Sequence, residues 1–277
     1  MQKIHILIQL LFIINSAKAI EIEEFDSLKW IKIDSAIEQT TIKHLKPPIL
    51  GDGEFFILRF IPNYFNFDLI EFKQNNKLET ANYWTDSMGY SVVFNAGMYN
   101  LNNEKLHRFY MQNKGLINNN VLDTKANGII AFNPLKNSSP NFKLFDLTIT
   151  DFNTIKNEFG TIIQGYRLID GNGKPVIWDR DNQICSMIVI AQDHNGYAYV
   201  IFSRSPLSQN QMIENLVALN LGLNNAIYLE GGSKASLSIL TKDIKLKKVG
   251  SYVSNYYPFD NNHSMPKFPN FIGFKLN

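Results

Sequence analysis

Residues 186–233 read SMIVIAQDHNGYAYVIFSRSPLSQNQMIENLVALNLGLNNAIYLEGGS, and the order of signals along them decides the fold class. Two apolar runs, 186–191 and 197–202, flank Asp193-His194-Asn195-Gly196, which predicts two strands joined by a tight turn. Ser208 with Gln211 makes a capping box, and Met212, Ile213, Leu216, Val217 and Leu219 give a broad apolar stripe. A helix is expected there, ended by Gly222. Residues 226–229 predict a short strand, after which Glu230-Gly231-Gly232-Ser233 must turn.

Working outward, the same signals recur. Residues 161–164 and 166–169 lead into Asp170-Gly171-Asn172-Gly173, a hairpin turn, with 175–178 expected to return as a strand. A helix is expected over 151–158, closed by Gly160, and strands over 128–132 and 142–147. Further upstream, 54–60 and 65–72 predict strands punctuated by Pro62, and 78–88 predicts a helix stopped by Gly89. Residues 90–94 read as a buried strand ending at Asn95-Ala96-Gly97. The Asn-rich and charged stretch 101–120 reads as a long excursion over the surface. Near the end, Ile244 and Leu246 alternate with Lys245 and Lys247, predicting a strand with one solvated face. Strands outnumber helices and hairpin turns dominate the connections. The expected class is α+β, with a largely antiparallel, curved sheet and helices packed on one side.

Composition bounds the rest. The chain has 277 residues, 45% hydrophobic and 19% charged, with one cysteine, which excludes a disordered chain, a collagen-like repeat and a disulfide scaffold. Residues 1–19 combine Lys3, an apolar run and Ala17-Lys18-Ala19, and read as a cleaved secretory signal; the run is short for a membrane anchor. The product is expected to be periplasmic or secreted, with no stable membrane insertion after cleavage. No linker or internal repeat divides residues 20–277, so one domain is expected. The formal net charge of +2 is that of the two lysines of 1–19, and the remainder is balanced. A nucleic-acid partner is therefore not expected.

No nucleophile elbow, phosphate loop, dinucleotide fingerprint or zinc helix motif is present. The histidines show no metal-ligand spacing, so no metal residues are assigned, and no cofactor is indicated. His194 reads as solvated in its turn; His107, beside Arg108 in the excursion, is a candidate ligand contact. Cys185 reads as an inert thiol. Three polar clusters instead stand at strand ends, where a rigid sheet holds side chains against a ligand. The first, Asn95-Ala96-Gly97-Met98-Tyr99, offers an amide and close backbone approach. The second, Gln164-Gly165-Tyr166-Arg167, carries a guanidinium able to fork onto phosphate. The third, Glu230-Gly231-Gly232-Ser233, pairs a carboxylate with glycine amides that can bind an anion.

From about Tyr90 to its end the chain resembles the phosphodiester glycosidases, typified by the uncovering enzyme that removes N-acetylglucosamine from a sugar phosphodiester. The family's N-G-G-F-F segment is similar to residues 95–99, its acidic Gly-Gly-x-Ser segment to the stretch ending at Ser236, and its final P-N-x-I-G strand to Pro269-Asn270-Phe271-Ile272-Gly273. Two positions depart: Glu230 stands where Asp is frequent, and Cys185, before Ser186, where Arg is frequent. The resemblance implies a hydrolase cleaving the glycosidic bond of a sugar-1-phosphodiester, with a carbohydrate or sugar-phosphate substrate. Glu230, Arg167 and Asn95 are its expected catalytic residues. Gln164, Arg204, Gly97, Tyr99, Gly231, Gly232, Ser233 and Ser186 are expected to bind substrate, with Arg167 or Arg204 supplying the positive charge of the missing arginine. The alternative reading is a non-catalytic envelope module that binds an anionic glycan.

Overall fold

The computed structural model describes residues 28–48, 50–100, 102–179 and 181–277. The export signal expected at residues 1–19 lies outside the described residues. The first strands are β1 (Ile31–Asp34), β2 (Ile37–Lys43), β3 (Glu54–Phe60), β4 (Phe65–Glu71) and β5 (Val92–Asn95), with helices α1 (Phe72–Asn75) and α2 (Ala81–Met88) before the last. Short strands β6 (Tyr99–Asn100), β7 (Asn103–His107), β8 (Met111–Asn113) and β9 (Leu116–Asn119) follow. Then come β10 (Gly128–Pro134), β11 (Phe142–Asp146), α3 (Phe152–Glu158) and β12 (Phe159–Ile169). The hairpin of β13 (Cys185–Asp193) and β14 (Ala198–Leu207) precedes α4 (Gln209–Ala218) and β15 (Leu223–Gly231). The chain closes with β16 (Ser236–Leu240), β17 (Lys245–Val249) and β18 (Asn270–Leu276).

These strands form two main antiparallel sheets: an eleven-stranded one whose central path is β3-β14-β13-β15-β12-β10, and a five-stranded one ordered β17-β16-β5-β18-β4. They pack face to face. Phe56, Leu58 and Phe60 of β3 point into the layer between them, meeting Phe67, Phe94 and Phe274 of the smaller sheet, while Phe55 and Ile57 point outward. Burial on both faces explains why 54–60 is a nearly unbroken apolar run rather than an alternating one. Ring pairs tie the two sheets together, with Phe60 and Phe274 centroids 4.5 Å apart and Phe67 and Phe142 5.0 Å apart. Each such pair adds about 0.5–1.5 kcal/mol beyond area burial.

The antiparallel arrangement is as expected, but the helices do not share one side. Apolar residues of α4 and α3 cover the outer face of the large sheet, whereas Ala81 and Trp84 of α2 cover the outer face of the small one against Val93 and Phe271. Strand signals do not say how strands are divided between sheets, and two sheets have two outer faces to cover. The local signals hold: Ser208 and Gln211 exchange both capping-box hydrogen bonds, and Gly89 ends α2 at φ 71°. Three expectations change. Residues 101–120 return inside, with His107, Phe109, Tyr110 and Met111 all buried. Gly160 does not close α3, since β12 begins at Phe159. Residues 175–178 pair only through an isolated bridge between Ile169 and Pro175.

Candidate active site

One end of the sandwich gathers the last residue of β5, the end of β15 and the first residues of β13, β16 and β18. The carboxylate there is Glu230. β15 runs between β13 and β12, and its register with β13 slips so that Tyr228 faces Val189 while Glu230 faces the adjacent Ile188. Leu229 is thus the extra residue of a β-bulge, a device that re-aims the side chain following it. Glu230 is 7% exposed; its Oε1 accepts the Gly231 amide at 2.9 Å, and Oε2 has no hydrogen-bond partner. Burial pushes its carboxyl up to about 8, against the opposing pull of the Gly231 amide, Lys234, the Tyr99 amide and Arg108.

Residues 95–99 form the neighbouring turn. Asn95 is fully buried, its Oδ1 accepting the Ser236 amide at 2.6 Å and the Ser236 hydroxyl at 3.1 Å, while its Nδ2 lacks a partner. The Ala96 amide donates to the Asn270 carbonyl at 3.1 Å, and both side-chain polar atoms of Asn270 are unpartnered. Gly97 is at φ 137°, and a Cβ there would stand 2.6 Å from Nε2 of His107. The ring of His107 is held at Nδ1, which donates to the Phe109 carbonyl at 3.1 Å, and burial pushes it down to about 4. It is neutral at any physiological pH, with Nε2 unpartnered. Buried polar atoms without protein partners are costly, and several on adjoining segments mark a surface shaped to receive polar groups of a ligand.

Gly97→Ala is expected to destabilise the protein by about 1–3 kcal/mol, because a side chain is strained at that φ and would strike the His107 ring. Urea unfolding of the two proteins measures it; an unchanged midpoint would show that the turn is not held as described.

Above this floor opens a cleft of about 660 Å³, lined among others by Met98, Arg108, Tyr166, Cys185, Tyr228 and Tyr256. Gly231 joins floor to cleft: a Cβ on it would run into the Tyr228 hydroxyl and stand 2.7 Å from Cys185 Sγ. The Cys185 thiol is pushed up by burial, which removes it as a ready nucleophile and agrees with an inert thiol. The two cations whose charge acts on Glu230, Arg108 and Lys234, make no ion pair with a carboxylate among the described residues. Arg108 is exposed, its guanidinium 5.3 Å from the Phe109 ring centroid, and Lys234 Nζ lies 5.4 Å from that of Tyr99. Among the described residues no three His, Cys, Asp or Glu side chains group as a metal site.

The structure brings Asn95, Gly97, Tyr99, Glu230 and Gly231 together, with Gly232 and Ser233 in the 3-10 turn that follows. The remaining expected site residues serve the scaffold. Arg167 is ion-paired to Asp146 and registers with Ile227, three residues before Glu230 on β15. Arg204 binds Asp260 through Nε and Nη2 at 3.2 and 2.7 Å, and donates to the Val249 and Asn262 carbonyls. Gln164 spends its amide on backbone groups of Tyr110, Asp123 and Ala126. Ser186 Oγ donates to the Arg204 carbonyl and accepts the Ser251 amide. Neither guanidinium is free to take the place of an arginine at Cys185. Arg108, Lys234 and Asn270 were not singled out from sequence as site residues; the apolar Phe109-Tyr110-Met111 inside the polar excursion was the available sign that the chain re-enters there.

A family model described as phosphodiester glycosidase matches residues 88–275, which contain every residue of this site. Among solved structures, a hypothetical protein from Synechocystis shares 16% identity and a TM-score of 0.61, covering 91% of this chain and 64% of its own. This chain therefore spans under two thirds of the Synechocystis protein. The zebrafish N-acetylglucosamine-1-phosphodiester α-N-acetylglucosaminidase catalytic domain, auto-inhibited by its pro-peptide, shares 12% identity and a TM-score of 0.58, covering 92% of this chain and 88% of its own. At these identities the likeness is one of fold. No curated protein sequence matches the chain.

Proposed function

Because the chain belongs to the phosphodiester glycosidase family, as the match over residues 88–275 establishes, we propose that it hydrolyses the bond between the anomeric carbon of a sugar and the phosphate of a phosphodiester. The observation that carries this reading is a buried carboxyl with one oxygen unpartnered, beside two cations not paired to acids. Phosphate leaves readily once its charge is met, so the demands on the protein are anion binding and stabilisation of an oxocarbenium-like centre. Arg108 and Lys234 meet the phosphate. Glu230, ionised, takes a proton from water as the water oxygen bonds to the anomeric carbon; the carbon–oxygen bond to phosphate breaks with its electron pair going to the phosphate oxygen. Asn95, His107 and Asn270 offer their unpartnered atoms to sugar hydroxyls, with the amides of Gly231 and Gly232 beside the anion.

Glu71 is a second buried carboxyl, raised by burial, and its Oε2 accepts Asn118 Nδ2 at 2.7 Å. Asn118 Oδ1 accepts the His107 amide at 3.0 Å, so Glu71 steadies the segment carrying the His107 ring. This reading includes a protein working outside the cytoplasm, supported by residues 1–19, with residues 20–277 as one domain and carbohydrate rather than nucleic acid as the partner, supported by the balanced charge. Hydrolysis of an N-acetylglucosamine-1-phosphodiester in ¹⁸O-labelled water tests the bond cleaved. Label on the sugar is expected; label on the phosphate would make it a phosphodiesterase. The second reading, a glycan-binding module, is favoured by Cys185 in place of the family's frequent arginine. Binding with no label incorporated over hours would support it.

A further inference from the structure

The cleft does not end above Glu230. Ile184, Ser254 and Asn255, which form part of its wall, are also the near wall of a second hollow of about 320 Å³. That hollow runs over Pro206, Leu207, Val253 and Pro258 past Leu45, and reaches Lys46 and Glu214, which face each other at 3.4 Å. Leu207 and Val253, 5% and 1% exposed, make a firm apolar floor, and the two prolines offer no amide hydrogen to a ligand. The shared wall is pinned. Asn255 Oδ1 accepts the Ile184 amide at 2.8 Å, and Ser254 and Tyr257 exchange backbone hydrogen bonds at 2.9 and 3.3 Å. Arg204 anchors the same loop through Asp260, as described above.

A phosphodiester has two ester arms. With the sugar at Glu230 and phosphate at Arg108, the second arm must leave along the cleft, and the cleft leads into this groove. The groove's polar side chains are engaged with the protein: Lys46 with Glu214, Asn215 with the Leu45 amide and Gln211 carbonyl, Gln211 with the Ser208 amide, and Asn255 with the Ile184 amide and Asn182 carbonyl. A hydroxyl-rich arm would therefore find few free partners and lose its hydration, whereas a hydrocarbon arm gains burial. We infer that the groove binds the alcohol portion of the substrate and that this alcohol is a long-chain apolar one, making the substrate class a glycosyl phosphate ester of a lipid-like alcohol. The inference rests on the glycosidase reading for the direction in which the ligand lies.

Non-hydrolysable N-acetylglucosaminyl phosphonate esters test it by calorimetry on the full chain. At about fourfold per buried methylene, an octyl ester is expected to bind at least about 30-fold more tightly than the methyl ester. Pro258→Asp, at an exposed position, and Leu45→Glu, at a half-buried one, are each expected to reduce that ratio to below about threefold while leaving methyl-ester affinity unchanged. Equal wild-type affinities, a folded variant that keeps the octyl preference, or an ester of a second sugar binding more tightly than the octyl ester would overturn the inference. Turnover of the corresponding phosphate esters separates the two readings. An octyl preference without hydrolysis leaves the groove and removes the glycosidase; hydrolysis of both esters with equal KM does the reverse.

Discussion

Glu230→Gln is expected to lower kcat by about 10³-fold and, at pH 8, to raise the melting temperature by about 4–8 °C. The two effects have one cause. Burial raises the Glu230 carboxyl to about 8, so the folded protein holds a proton there that the unfolded chain, with an ordinary glutamate, releases at much lower pH. A group raised in this way favours folding fully below its unfolded value, and that contribution is lost as pH rises through the folded one. The native state is thus penalised on the alkaline side for keeping an ionisable acid in a dry site. Glutamine keeps the shape and removes the charge, so the penalty goes with the activity. By the same logic wild-type kcat/KM should climb with pH toward a plateau above about 8, since the base acts when ionised. Full turnover by Glu230→Gln, or a rate that falls through this range, would remove the carboxylate from the base role.

Arg108→Ala is expected to reduce kcat/KM by about 10²-fold with no change in unfolding midpoint. The guanidinium lines the cleft and has no carboxylate partner among the described residues, so its loss is expected to remove the proposed anion binding and a charge that favours ionised Glu230, with little effect on the fold. Arg204→Ala is the contrasting case. It deprives Asp260 and two carbonyls of their donor and should loosen residues 249–262 to proteolysis. If Arg204→Ala were the variant with the specific kinetic loss and normal stability, the phosphate would belong on that side of the cleft.

The contrast between these arginines also marks where sequence reading stops. Turns and caps are local: Asp193 accepts the amides of Asn195 and Tyr197, two and four residues on, and Ser208 and Gln211 are three apart, so residue type and spacing carried them. Whether a cation is available is not local. Asp146 reaches Arg167 across 21 residues and Asp260 reaches Arg204 across 56, and nothing near either arginine announces its partner. The acid at the end of β15 was legible from an apolar strand followed by two glycines. Its protonation was not, because burial is a product of the whole fold, and even the opposing pull comes partly from Tyr99 and Arg108, over a hundred positions earlier. The division of strands into two sheets was hidden for the same reason, since alternation gives a strand its faces but not its neighbours.

The one-residue slip at Leu229 lies near the end of a central strand of the large sheet, just past the last β12 pairing at Tyr228, with β13 paired on both sides of it. Glu230 therefore takes its direction from main-chain ladders and not from a mobile flap. On heating, the loss of the proposed activity is therefore expected to coincide with the parting of β13 and β15 rather than to precede it.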